Sequence, residues 1–205
     1  MKERRSMETN LAYKLDYYED ERPTELIGGK VTAMSSPSIA HSTVVENIHN
    51  IFRSYLKGRK CRTFSDHVDV YLTQKDRYVP DVTIVCNPDK IRENGIHGAP
   101  DLVVEVLSPS TARNDKKHKK DVYERCGVRE YWIVDPFALS VDQYVLEENA
   151  DGQRHFVLRD VYMVYRDYML ETMSEEERAA LVTEFRCSLF DDLTIRLEDI
   201  FERVM

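Results

Sequence analysis

No apolar run in the 205 residues approaches the ~20 needed to cross a bilayer as a helix. The charged start (Lys2, Glu3, Arg4, Arg5) is not followed by the apolar stretch of a secretory leader. Cysteine is sparse and lacks the paired C-x-x-C spacing of a zinc or redox site: Cys61, Cys86, Cys126 and Cys187 stand far apart. The expectation is four free thiols in a reducing, cytoplasmic protein. A basic excess is missing too, the net charge being −8. A nucleic-acid footprint is usually basic, but carboxylates gathered to hold a metal ion add negative charge of their own. Repeats and low-complexity segments are also lacking.

What is present reads as one soluble domain over residues 1–205, with 42% hydrophobic and 32% charged residues. Residues 1–23 are polar and read as an arm or a short helix. Gly28-Gly29 predicts a tight hairpin between Glu25–Ile27 and Val31–Met34. From Ser38, apolar residues at Val44, Val45, Ile48, Ile51, Phe52, Tyr55 and Leu56 follow a helical period that stops at Gly58. The period then becomes two, with Val68, Val70 and Leu72 in one strand. Val82–Val85, Leu102–Leu107 and Tyr131–Val134 are further strands, and a basic helix over 113–126 ends at Gly127. A hairpin joins Val141–Leu146 to His155–Leu158. Ser174 and Glu177 spell a capping box for a helix over 174–184, and a short strand and helix close the chain at Leu193–Phe201. The order predicts an α/β fold with a mixed central sheet flanked by helices, plus a C-terminal hairpin and helices.

One position in the most apolar strand is out of character. Glu105 sits among aliphatic residues, where an unpaired carboxylate is costly. Asp81 opens the strand over 82–85. If these strands are neighbours, the two acids share a face and suit Mg²⁺, for which Mn²⁺ substitutes, since this hard cation accepts one or two carboxylates with waters and phosphate. On the helix, Asp115, Lys119 and Tyr123 fall four apart and stack on one side. A lysine brought to the acids would stabilise charge developing on a phosphoryl group. Candidate substrate contacts are His41, Ser108, Lys116 and Lys120; Glu46 is either a further acid of the cleft or a solvated side chain. Asp101 reads as a turn or cap.

The run Val79-Pro80-Asp81, the block Pro100–Thr111 around Glu105, Asp115 with Lys119 and Tyr123, and the block Gly127–Pro136 together resemble the Uma-two family. That resemblance implies a restriction-endonuclease-like fold of the PD-(D/E)XK type. By it, Asp81 and Glu105 match the acidic metal-site positions and Lys119 the lysine of the following helix. Two departures stand out. Leu107 occupies the place two residues after Glu105 where the motif sets lysine, so the lysine is either moved to Lys119 or absent. Lys30 stands where the family tends to carry an acid.

The expected activity is metal-dependent hydrolysis of nucleic-acid phosphodiester bonds, DNA before RNA, by catalytic residues Asp81, Glu105 and Lys119. A non-catalytic nucleic-acid- or protein-binding module on the same fold is the alternative, and a hydrolase of small phosphate esters a third. Residues 162–185, rich in methionine and tyrosine, are read as an insertion able to form a homodimer surface, with core packing explaining them equally well.

Overall fold

The computed structural model describes residues 23–65, 67–108 and 114–204. The expected arm up to Arg22 and residues 109–113, where the expected 113–126 helix begins, lie outside them.

Fourteen short strands occupy the described chain: β1 (Thr24–Ile27), β2 (Lys30–Ala33), β3 (Arg62–Ser65), β4 (Val70–Tyr71), β5 (Arg77–Tyr78), β6 (Val82–Val85), β7 (Ile91–Arg92), β8 (Gly95–His97), β9 (Leu102–Val106), β10 (Glu130–Asp135), β11 (Ser140–Glu148), β12 (Arg154–Met163), β13 (Glu184–Arg186) and β14 (Thr194–Arg196). The helices are α1 (Ile39–Tyr55), α2 (Lys120–Cys126), α3 (Asp167–Glu171), α4 (Glu175–Ala179) and α5 (Leu197–Ile200). A π-helical turn, Asn114–Lys119, leads into α2. No described helix is long and apolar enough to cross a membrane.

The main sheet has the order β12-β11-β10-β9-β6-β3. Only β9 and β10 run parallel, with Glu105 beside Ile133; the other neighbours are antiparallel. A parallel pair needs a crossover, and the π-helical turn with α2 supplies it. That crossover carries Lys119 back over the strand that holds Glu105. A second six-stranded sheet, β2-β1-β5-β4-β8-β7, accompanies it. The expected mixed α/β architecture is present, with a difference: part of the main sheet is covered by this second sheet rather than by helices.

Alternate residues of the central strands feed opposite layers. Val82, Val104, Val106, Trp132 and Val134 pack with Val44, Ile48 and Phe52 of α1 and with Phe185 and Ile195 of the C-terminal segment. Val103, Tyr131 and Ile133 pack with Val122 and Tyr123 of α2 and with Tyr78 of β5. Ser38 caps α1, its hydroxyl accepting from the His41 N–H at 3.2 Å. Gly127 ends α2 with φ +87°, and the N–H groups of Gly127 and Val128 both donate to the Tyr123 carbonyl. Substituting a β-carbon residue at Gly127 would meet the steric cost of the left-handed region. The capping box of Ser174 and Glu177 is present at α4.

Three expectations need correction. The strand over 67–72 is only Val70–Tyr71, because the chain turns there and the Leu72 and Thr73 N–H groups donate to the Asp76 carbonyl. The 113–126 helix starts as the π-helical turn rather than as α-helix. Cys61 and Cys86 are joined in a disulfide. They lie one rung beyond the Arg62–Val85 pair of β3 and β6, a cross-strand placement that a separation of 25 residues does not reveal. Cys126 and Cys187 are free, as expected.

A second acid is wholly buried on the α1 side of the sheet. Glu130 accepts from the Trp132 indole N–H at 2.7 Å, the Gln143 amide at 2.6 Å and the Ser188 hydroxyl, while Gln143 also donates to the Arg186 carbonyl. These bonds satisfy a carboxylate that would otherwise be expensive to bury, and they fasten the C-terminal segment to the sheet. Burial and the neighbouring Glu130 push the Cys187 thiol well above its ordinary range, leaving it a protonated, inert group.

Candidate active site

Asp81 immediately precedes β6, and Glu105 lies in β9, its antiparallel neighbour. Val82 is opposite Val104 and Thr83 opposite Val103. Continued by one rung beyond the paired residues, that register would bring Asp81 opposite Glu105, where directly opposed Cβ atoms lie about 5 Å apart. Asp81 is oriented from two sides. Its Oδ2 accepts the Val106 N–H at 2.6 Å, and its Oδ1 lies 3.3 Å from His41 Nε2 at the start of α1.

Glu105 is 3% exposed and receives two donors on one oxygen. Lys119 Nζ lies 3.1 Å from Oε1, and the Tyr123 hydroxyl donates to the same atom at 2.7 Å. The i, i+4 spacing of Lys119 and Tyr123 thus brings both to one carboxylate. Burial, then the Glu105 charge, holds the Tyr123 phenol far above its usual range, so it remains a donor.

Sequence reasoning missed Glu25. This β1 residue is 6% exposed, its Oε1 lies 3.0 Å from Lys119 Nζ, and the Val79 N–H donates to it at 2.9 Å. Lys119, itself 4% exposed, is gripped between acids from two different sheets. The Tyr78 ring, 5.7 Å from Nζ, covers it. The one signal for Glu25 in the sequence is its i, i+2 relation to Ile27, which packs into the same layer. The β1–β2 hairpin is held in place through Asp76, whose Oδ1 accepts from the Gly28 N–H at 2.9 Å and the Tyr78 hydroxyl at 3.0 Å.

The other candidates are placed as follows. His41 reaches the site through Asp81. Ser108 is half-buried just beyond β9. Lys116 belongs to the π-helical turn, its side chain outside the described residues. Lys120 turns elsewhere, its Nζ 4.6 Å from the centre of the Tyr144 ring and 5.8 Å from Phe156 on the β11–β12 hairpin. Attraction to two aromatic faces accounts for that choice. Glu46 faces solvent. Asp101 has the expected turn role, accepting from the Cys86 N–H at 2.8 Å.

The donor set fits a small hard cation sparingly. Asp81 and Glu105 offer two carboxylates from neighbouring strands, within the one or two that Mg²⁺ takes. Among the described residues, no group of three or more His, Cys, Asp or Glu side chains is arranged to hold a metal ion. Any ion here would rely on water or phosphate for the rest of its shell.

Residues 11–168 match the family model Uma2, described as "Putative restriction endonuclease". Two uncharacterized proteins of Synechocystis sp. are similar. One is 29% identical over 130 residues, covering 62% of this chain and 67% of its own; the other is 26% identical over 142 residues, covering 67% and 78%. A crystal structure from Anabaena variabilis, titled as a putative nuclease belonging to DUF820, superposes with a TM-score of 0.61 at 20% identity. It covers 95% of this chain and 98% of its own, a likeness of fold.

Proposed function

The chain belongs to the Uma2 family of restriction-endonuclease-like proteins, and on that premise we propose that it is a Mg²⁺-dependent endonuclease hydrolysing phosphodiester bonds in DNA. The reading is supported by the Val82–Val104 pairing, which continued by one rung would bring Asp81 opposite Glu105, and by the buried Lys119 ammonium 3.1 Å from Glu105. Asp81 and Glu105 would hold the ion, which when bound supplies Lewis acidity at the phosphoryl group. Mn²⁺ offers the same hard chemistry.

The protein's own groups do the rest. The Val106 N–H and His41 fix the Asp81 carboxylate, while Tyr123 fixes Glu105. Lys119 carries the positive charge that stabilises negative charge developing on phosphate oxygens, an effect enlarged in a buried site. Glu25 and Tyr78 confine the ammonium, so little reorganisation is needed when substrate arrives. Ser108, and Lys116 from the turn above, are assigned to the substrate backbone. Cutting both strands of a duplex calls for a two-fold pair of sites, hence a homodimer; the exposed α3–α4 segment, with Tyr168 66% exposed, offers a surface for it.

Plasmid nicking tests the reading. The protein should convert supercoiled DNA to open circles with Mg²⁺, and Asp81→Asn and Glu105→Gln should stop it. A second reading, a binding module without turnover, is favoured by the small donor set and by Leu107 at the place of the motif lysine. It predicts salt-sensitive DNA binding and no cleavage with any divalent ion.

A further inference from the structure

Between the outer strand β3, next to β6, and the β7–β8 hairpin lies a cavity of about 310 Å³ lined by Phe64, His67, Asp69, Arg92, Asn94 and Ile96 among others. Its position follows from register. Phe64 of β3 pairs with Thr83 of β6, and Thr83 shares a face with Asp81 two residues earlier. Val85, two residues later on that face, packs with Phe64, Ile91 and Ile96. Two residues along β6 and one strand across place the Phe64 Cα roughly 8 Å from that of Asp81. That is the reach between a backbone phosphate and the base of its own or the next nucleotide.

The cavity also has the chemistry of a base site. Phe64 gives a half-buried aromatic surface beside exposed Arg92 and Asn94, which add hydrogen-bonding groups at the rim. Its wall is tightly built. Gly95 opens β8 after the Glu93-Asn94 turn with φ +136°, and a β-carbon there would collide with the Asp69 carbonyl oxygen. The Ile96 N–H donates to that oxygen at 2.8 Å.

Resting on the nuclease reading, we propose that this cavity receives a nucleobase of the strand whose phosphate lies at Asp81 and Glu105, with Phe64 as its stacking platform. A base next to the scissile phosphate would then be unstacked from its neighbours, which favours single-stranded or deformable DNA over a rigid duplex.

The test is equilibrium binding of a short fluorescein-labelled single strand, followed by anisotropy in EDTA so that nothing is cleaved. An abasic site is moved along the strand one position at a time. The expected result is a loss of affinity of about five- to thirty-fold at one position, the scale of one base–aromatic stack. Phe64→Leu, which keeps the apolar packing, should shrink that loss, and Arg92→Ala should reduce it further. A loss that is equal at every position, or undiminished in Phe64→Leu, overturns the proposal. Cleavage with Mg²⁺ but no position-specific loss overturns the cavity assignment alone. A position-specific loss without cleavage under any divalent ion supports the cavity and overturns the nuclease reading.

Discussion

Lys119 Nζ stands 3.0 Å from Glu25 and 3.1 Å from Glu105, so one ammonium joins the second sheet to the main one. All three side chains are buried. Breaking a buried ion set by removing one member is costly because the others lose their compensation, typically about 3–5 kcal/mol. Lys119→Met is therefore expected to lower the unfolding free energy by about that amount, as read by urea denaturation, and to reduce cleavage by about 10²–10³-fold. Full activity in a folded Lys119→Met protein would remove lysine from the chemistry.

Glu25 acts through Lys119 rather than on substrate. Glu25→Gln retains an acceptor for the Val79 N–H but loses the charge beside the ammonium. The expected outcome is a fall in kcat of about ten- to a hundred-fold, the usual cost of losing a supporting contact, with KM little changed. Glu25→Asp should recover part of the loss. An effect confined to KM would assign Glu25 to binding.

Tyr123→Phe removes a 2.7 Å bond to a buried carboxylate while keeping the ring against Tyr78 and Tyr131. Bonds to charged groups contribute about 1.5–3 kcal/mol, and thermal unfolding of the variant should show a loss on that scale.

The hairpin that carries Glu25 has a pH-sensitive anchor. Burial pushes the Asp76 carboxyl up, but hydrogen bonds from Thr73, the Gly28 N–H and Tyr78, with His118 nearby, prevail and hold it below its ordinary value. A depressed folded-state pKa contributes stability that is present above the unfolded pKa, ~3.9, and is lost as pH falls through the lower folded value. Acid titration of the wild type should show this loss below about pH 4, and Asp76→Asn should lack that part of the pH dependence while being less stable at neutral pH.

The Cys61–Cys86 bridge closes a chain segment of 25 residues that includes Asp81. Cross-links of that span contribute about 3 kcal/mol. Replacing both by serine should lower the midpoint of thermal unfolding, and dithiothreitol should lower the wild type to a similar value. Equal midpoints with and without reductant would contradict the pairing.

How far the sequence told this in advance depends on whether the cause was local. Glu105 was conspicuous because a lone acid interrupts an aliphatic strand, and Gly127 and the Ser174–Glu177 box were legible because caps are written within a few residues. The Lys119–Tyr123 stack followed from helical spacing. Glu25 was not legible: its value arises only when β1, 94 residues before Lys119 in the chain, is laid over the crossover. The cysteines failed for the same reason, since their pairing is fixed by the β3–β6 register. Lys120 differs from Lys119 by one step, about 100° around a helix, and that rotation sends it to Tyr144.

Diffraction from a crystal soaked in Mn²⁺ tests the central claim most directly, since anomalous scattering locates the ion without reference to activity. The expected result is one peak within ligand distance of the Asp81 and Glu105 carboxylates, absent in Glu105→Gln. A peak elsewhere, or none at saturating Mn²⁺, would contradict it.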